Sequence, residues 1–495
     1  MNRALRRVSL ICLVLFVLLL VNVNYVQGFE ASSLANEPGN GRTFSAQFQF
    51  QRGSIVTADQ KVIADSRLNK NFGEYQRRYP YGQVYAPVTG YDSLFSATGI
   101  EQAENKQLSG TDPALAVHNL IDLISGKPKK GATVQLTINS VAQQAAYNAI
   151  KAQGRQAGVV AINPQTGAIL VLASYPTFDP NQYATLNGAK LDKNDARYRA
   201  NPNQPLLNRA INVTFPPGST FKVVTSSTLF STGRYAPDTR VFAPTNLKLP
   251  GVSQPLINFD NEACNDGSNP TGHGTVPLIF AFTVSCNTVF GNLGMKVGGS
   301  KLQEEANLFG MNKANLTIPL PVTQSNFPLY TDPAQAAGGA IGQESDTVTP
   351  LQEAMFASAI ADNGTLMKPY LVDKVTAPDL TTLSTTQPTA LSHPVSPTAA
   401  NDVKQMMVSV TQSSAGTAHF SADVPGIVIA GKTGTAQTGI NNTGLDDAVF
   451  TCFAPASNPQ IAVGVVVKGG GQGADASAPI AVAIIKAYLA SLGKG

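Results

Sequence analysis

An α+β fold is predicted for most of this chain, and three observations predict it. Alternating β-like runs occur near residues 157–171 and again between 426 and 467. Helical patterns fill the interval between them, and a further apolar helix follows the last run. Strands at both ends of a region with helices between imply one sheet that joins the two ends. The 495 residues allow two to four domains. Hydrophobic residues reach 43%, enough for large cores, while charged residues are 13% and the net charge is +4. That balance argues against a nucleic-acid partner, which calls for a basic stripe. Four Cys without a Cys-x-x-Cys pair exclude a disulfide-built scaffold, a zinc ribbon and a thioredoxin-type site. No metal and no cofactor is expected.

In chain order, Arg3, Arg6 and Arg7 precede an apolar run that extends to Val26. Residues 8–26 are long enough to cross a bilayer, and the preceding positive charge keeps the N-terminus inside. The competing reading is a cleaved signal peptide, for which Val26-Gln27-Gly28 is a poor site. Residues 1–28 are therefore expected to be a cytoplasmic stub and membrane anchor, with the rest outside the cytoplasm. Residues 29–152 mix short strands and turns. Gln51–Val56 and Lys61–Ala64 read as a hairpin, Val134–Ile138 as a strand and Ser140–Lys151 as a helix. This stretch shows no nucleophile–base pattern and is expected to be a support. Residues 153–495 form the second unit. It opens on a hairpin over 159–171 with Asn163–Gly167 as its turn. Helices are expected over 220–231, 276–296, 350–362 and 478–492, a loop or edge hairpin over 376–397, and strands over 426–435, 449–455 and 460–467.

Three motifs carry chemistry. Pro216-Pro217-Gly218-Ser219-Thr220-Phe221-Lys222 reads as a turn followed by a helix start. Ser219 and Lys222, three apart, share a helix face, so the amine can reach the hydroxyl. Burial disfavours the ammonium and leaves a neutral lysine able to act as a base. Alone the pattern is weak: a helix N-cap serine reads the same way, and Ser491-Leu492-Gly493-Lys494 also matches it. Ser285-Cys286-Asn287 places two polar side chains in an apolar stretch, where they need a polar partner; a pair bonded to helix backbone is the plainer reading. Lys432-Thr433-Gly434-Thr435 follows Ile427–Ala430, which reads as a strand. A cation and hydroxyls at a strand end suit a carboxylate, and Gly434 lets a substrate backbone approach. Residues 426–433 also fit the phosphate-loop pattern of nucleotide hydrolases. The middle residues Ile-Val-Ile-Ala form a strand rather than a loop, and Gly434 and Gly439 flank a β-like run where a helix should follow. His118, His273, His393 and His419 fit no triad or zinc pattern.

The three motifs in this order, S-x-x-K, S-x-N and K-T-G, resemble the signature of β-lactamases and penicillin-binding proteins. Arg52-Gly53-Ser54-Ile55 is similar to the start of the pedestal of class B penicillin-binding proteins. Tyr79–Gly82 and Tyr85–Tyr91 look like the actinobacterial penicillin-binding protein A group. Gly338–Gln343 with Val348–Gln352 is similar to a segment bordering the family's cleft. Asp447-Ala448-Val449-Phe450 departs from the family's usual His/Asp-Ala-Trp-Phe, so the packing of that cleft wall is expected to differ.

The resemblance implies a penicillin-binding/β-lactamase-like domain: an antiparallel sheet with helices on both faces and a helical subdomain, preceded by a β-rich pedestal and one transmembrane helix. It implies a D,D-transpeptidase that forms an acyl-enzyme on Ser219 with D-Ala-D-Ala stem peptides of peptidoglycan. Lys222 would be the base, and Ser285, Asn287 and Lys432 would complete the catalytic set. Thr433, Gly434 and Thr435 would hold the donor, and the N–H groups of Ser219 and Thr435 would form an oxyanion hole. β-Lactams would acylate the same serine. Partners would be the inner membrane and the division or elongation machinery, including a lipid II polymerase. A serine β-lactamase shares the motifs but needs a deacylating Glu, and no Asp or Glu lies between Glu305 and Asp332. A membrane β-lactam sensor needs a larger cytoplasmic part, and a non-catalytic division scaffold would not need Ser219, Lys222 and Lys432. A disulfide is expected between Cys264, in an Asn/Asp/Gly-rich loop, and Cys286, 22 positions on. Cys12 falls in the anchor, and Cys452 reads as a buried thiol.

Overall fold

The computed structural model describes residues 2–30, 34, 48–116, 121, 124–126, 128–269, 271–437 and 444–493. His118, Gly439 and Lys494 lie outside them. The N-terminal helix Asn2–Tyr25 continues as a π-turn to Glu30. Its apolar side chains Val8 to Val23 are all exposed, and the 25 residues Arg6–Glu30 are long and apolar enough to span a membrane. The C-terminal helix Gly473–Ser491 meets the same length criterion, but more than half of it is buried against the rest of the protein.

The larger unit is built on a five-stranded antiparallel sheet in the order Ala430–Ala436, Asp447–Ala454, Ile461–Val467, Ala157–Ile162 and Ile169–Tyr175. The chain thus opens and closes this sheet, as the run pattern at its two ends requires. Three central strands are buried along their whole length, which explains continuous apolar runs such as Ile461–Val467 instead of alternation. Helices Ser140–Gln153 and Gly473–Ser491 pack together on one face. Helix Pro350–Ala361 packs on the other, and all of its residues are buried. Thr349 caps its start through the Gln352 N–H, and Pro350 occupies the first turn. A helix apolar on all sides suits a position between two layers.

The second sheet has six strands, ordered Thr382–Thr385, Val372–Thr376, Thr133–Leu136, Ile55–Val56, Val62–Asn69 and Glu74–Arg78. Two of them come from the C-terminal half of the chain. The stretch expected as a loop or edge hairpin over 376–397 supplies the sheet's edge strand Thr382–Thr385, and its second strand, Ala390–Ser392, pairs with Leu366–Met367. The helix Ser140–Gln153, expected within the support, packs instead on strand Ile169–Tyr175 and on the C-terminal helix. Fully buried Glu101 ties the support together: it accepts from Arg52 Nε at 2.7 Å and Arg77 Nε at 2.6 Å.

Two expected elements differ. The strand expected from Gly426 starts at Ala430, because Gly426 adopts φ +81° and Val424 and Ile427 close a turn there. The single helix expected over 276–296 is broken. Strand Thr275–Pro277 leads into helix Leu278–Thr283, and a new helix runs Asn287–Val297. The break is a Schellman closure: Cys286 N–H donates to Ala281 O at 2.8 Å and Ser285 N–H to Phe282 O at 3.1 Å. Ser285 takes the left-handed position at φ +60° that glycine usually fills. Periodicity cannot see this break, because the apolar residues continue through it.

Candidate active site

The three motifs converge in one cleft. Ser219 lies in the 3-10 turn Gly218–Phe221, and Lys222 is the first residue of helix Lys222–Ser231. The turn needs glycine at 218. Its φ is +56°, and a Cβ there would stand 2.9 Å from Thr435 O, so the turn could not lie as close to the sheet edge. Gly218 N–H donates to Gly342 O at 3.0 Å, which anchors the turn to the Gly338–Gln343 segment.

Lys222 is fully buried and surrounded by oxygen. Its Nζ lies 2.7 Å from Ser285 O, 2.7 Å from Asn287 Oδ1, 3.0 Å from Ser219 Oγ and 3.1 Å from Ser285 Oγ. The first two are pure acceptors and take two N–H bonds. A neutral amine then has its lone pair left to accept the Ser219 O–H. Burial, reinforced by the charge of Lys432, holds this amine well below the usual lysine range. Lys432, also fully buried, donates to Ser285 Oγ at 2.9 Å and to Thr433 O at 3.0 Å. Burial lowers it to about 7. The Ser285 hydroxyl therefore bridges the two lysines, and both amines lie over aromatic rings, Phe290 for Lys222 and Phe282 for Lys432.

The strained break at Ser285 makes this geometry possible. It turns the Ser285 carbonyl and hydroxyl toward Lys222 and starts the next helix at Asn287, whose Nδ2 donates to Ile257 O at 3.3 Å. The Cys264–Cys286 disulfide, with Cα atoms 5.9 Å apart, ties the 258–269 loop to the same break. Cys286 belongs to the break rather than to a continuous helix.

Strand Ala430–Ala436 is an edge strand. Thr433 O accepts from Lys432 and Thr435 O from Gln343 Nε2 at 2.9 Å. In an antiparallel strand the N–H and C=O of one residue point the same way. The Thr435 N–H thus lies on the free edge against which the Gly218–Ser219 turn packs. Thr433 Oγ1 meets Thr417 Oγ1 at 2.6 Å. Gly434 is buried under Pro217 O, where a Cβ would come within 2.8 Å. Ser491 is remote from this cluster and donates to Tyr488 O at the end of the last helix. Sequence reasoning did not single out Thr417, Phe282, Phe290 or Glu353. Glu353 receives a contact from Thr220 beside Ser219 and has no motif of its own. Cys452 is buried in strand Asp447–Ala454.

A buried lysine between a serine in a helix-start turn, an S-x-N hydroxyl and a K-T-G edge strand is the site of a serine acyl-transfer enzyme. The description "Penicillin binding protein transpeptidase domain" matches residues 157–486, and "Penicillin binding protein A dimerisation domain" matches residues 52–134. The chain belongs to the penicillin-binding protein transpeptidase family. It is 39% identical over 499 residues, 99% of both chains, to peptidoglycan D,D-transpeptidase PbpA of Mycolicibacterium smegmatis. It is 38% identical over 500 residues, again 99% of both, to PbpA of Mycobacterium tuberculosis. The imipenem acyl-enzyme structure of M. tuberculosis penicillin-binding protein A superposes with a TM-score of 0.83 at 36% identity, over 90% of this chain and 100% of that one.

Proposed function

We propose that this chain is a peptidoglycan D,D-transpeptidase that acylates Ser219 with D-Ala-D-Ala stem peptides and passes the acyl group to a neighbouring stem amine. The observation that carries the reading is the Lys222 amine: two N–H bonds to fixed acceptors, and the Ser219 hydroxyl 3.0 Å away. Full-length identity to proteins named peptidoglycan D,D-transpeptidase supports it.

Lys222 takes the Ser219 proton as Oγ attacks the penultimate carbonyl carbon. The Ser219 and Thr435 N–H groups bind the oxyanion. The Ser285 hydroxyl, between Lys222 and Lys432, passes a proton to the leaving D-Ala nitrogen. Lys432, Thr433 and Thr435 face the donor carboxylate, Gly434 lets the nucleophile turn pack against the strand through Pro217 O rather than making room for substrate backbone, and Asn287 holds Lys222 and a substrate amide. An acceptor amine then attacks the ester carbonyl and releases Ser219. β-Lactams enter as donor mimics whose leaving group stays tethered; solved relatives carry imipenem, ceftriaxone and penicillin G as acyl-enzymes.

A β-lactamase must also hydrolyse the ester. Among the described residues, no carboxylate contacts Ser219, Lys222, Ser285 or Lys432. Residues 8–26 serve as the single-pass anchor, with Arg3, Arg6 and Arg7 on the cytoplasmic side and the cleft outside. There the enzyme would work with the division or elongation machinery and its lipid II polymerase. Labelling with fluorescent penicillin tests the reading. One adduct per chain on Ser219 is expected, lost in Ser219→Ala; an adduct elsewhere, or a labelled variant, refutes it.

A further inference from the structure

Glu353 is fully buried in the first turn of helix Pro350–Ala361, between the Ser219 turn and the sheet. Its Oε1 lies 2.8 Å from Thr220 Oγ1, and the same hydroxyl lies 2.8 Å from Pro217 O. Its other oxygen, Oε2, has no partner among the described residues. On the backbone side, Glu353 O accepts from Thr451 Oγ1 at 2.5 Å, and Thr451 is paired directly with Lys432 across the sheet. One residue thus touches both the turn that carries Ser219 and the strand next to Lys432.

The proton count decides what this contact does. A threonine hydroxyl has one proton to donate. If Glu353 were ionised, that proton would go to the carboxylate, and the Pro217 carbonyl would lose its side-chain donor. A buried charge would also stand with one oxygen unpaired, which is costly. If Glu353 is protonated on Oε1, both contacts are satisfied at once, because the acid donates to Thr220 Oγ1 and Thr220 donates to Pro217 O. Burial favours the protonated form and pushes this carboxyl up to about 8; no charged group acts on it among the described residues.

We propose that Glu353 is a positioning residue of the acylation site: a neutral carboxylic acid whose relay through Thr220 to the Pro217 carbonyl fixes the turn that presents Ser219 to Lys222. This rests on the transpeptidase reading, since it assigns Glu353 a role in acylation of Ser219. The relay spans the residues on either side of the nucleophile. Its loss therefore acts on the alignment of Oγ with the lysine lone pair more than on the binding of the donor.

The test measures penicillin acylation of the full chain by stopped-flow, resolved into the drug-binding constant and the first-order acylation step. Glu353→Gln keeps an N–H donor toward Thr220 and is expected to acylate within about threefold of wild type. Glu353→Leu, similar in volume without a donor, is expected to slow the acylation step by on the order of tenfold, the worth of one hydrogen bond, with little change in drug binding. Thr220→Val is expected to slow it similarly, and the double variant no further, because both changes break one relay. Thr220→Ser should restore the rate. Wild-type acylation by Glu353→Leu and Thr220→Val, or equal slowing in Glu353→Gln and Glu353→Leu, overturns the proposal. If Glu353→Leu fails to fold, the Thr220→Val and Thr220→Ser pair decides alone. A wild-type chain that takes no adduct on Ser219 overturns the transpeptidase reading itself, a result distinct from an acylated wild type with indifferent variants.

Discussion

Lys222→Ala is the sharpest perturbation of the mechanism. Among the described residues, the Ser219 hydroxyl contacts no other base, so no second group replaces the amine. A positioned general base contributes roughly 10²–10⁴-fold, or about 3–5 kcal/mol of barrier at 1.36 kcal/mol per decade. Acylation by penicillin is therefore expected to fall by about a thousandfold. Stability should change much less, because two effects oppose. Ser285 O and Asn287 Oδ1 each lose a donor at 2.7 Å, at about 1–3 kcal/mol per orphaned buried acceptor. Against this, the wild-type chain must bury an amine that burial holds well below its usual range, and the variant does not bear that penalty. The assay is a fluorescent-penicillin time course with intact-protein mass on the same samples, alongside a thermal melt. A folded Lys222→Ala protein that acylates within tenfold of wild type would falsify the assignment of Lys222 as the base.

Further outcomes follow from the same geometry. With Lys432 lowered to about 7 by burial, its charge is present below that pH and lost above it. Binding of carboxylate-bearing penicillin should weaken between pH 6 and 8 while the acylation step does not fall in parallel; a flat binding constant contradicts this. Glu305, in helix Gly299–Leu308, is buried with one oxygen unpaired among the described residues and is pushed up to about 8. Its folded value lies above its unfolded one, so the chain loses stability as pH rises from about 4.5 through 8, by on the order of a few kcal/mol. Glu305→Gln should remove that loss, seen as a melting-temperature gain over wild type that grows from pH 5 to 8; a constant difference speaks against it. Replacing both Cys264 and Cys286 by Ser opens a 22-residue separation and should lower stability by about 3 kcal/mol in urea titration; an unchanged midpoint rejects a tethering role. The penicilloyl adduct should persist for many minutes, because among the described residues no carboxylate contacts the cluster to activate water. Turnover of nitrocefin near one per second, about the low end of typical enzyme rates, would mark a β-lactamase.

Much of the site was legible in the sequence because its chemistry is local. Ser219 and Lys222 are one helical turn apart, so spacing allows the hydroxyl–amine contact, and the company of the other two motifs sets this pair apart from Ser491-Leu492-Gly493-Lys494. Lys432, Thr433 and Thr435 follow an apolar run that reads as a strand, although the strand itself starts only at Ala430, and β-like runs at both ends of the region announce a sheet that the chain opens and closes. The tertiary structure decided what lies across the cleft. The Lys432–Ser285 contact joins residues 147 apart, and no local pattern records it. The break at Ser285 was hidden because apolar residues continue through it, and a left-handed serine is held there only by its surroundings. Strands Val372–Thr376 and Thr382–Thr385 join the support's sheet, a pairing that propensity cannot encode. Glu353 reads in sequence as one acid in an apolar helix. Its role follows only from the fold that buries it against Thr220, because local preference acts over a few residues while burial and the cost of unpaired polar groups act across the whole molecule.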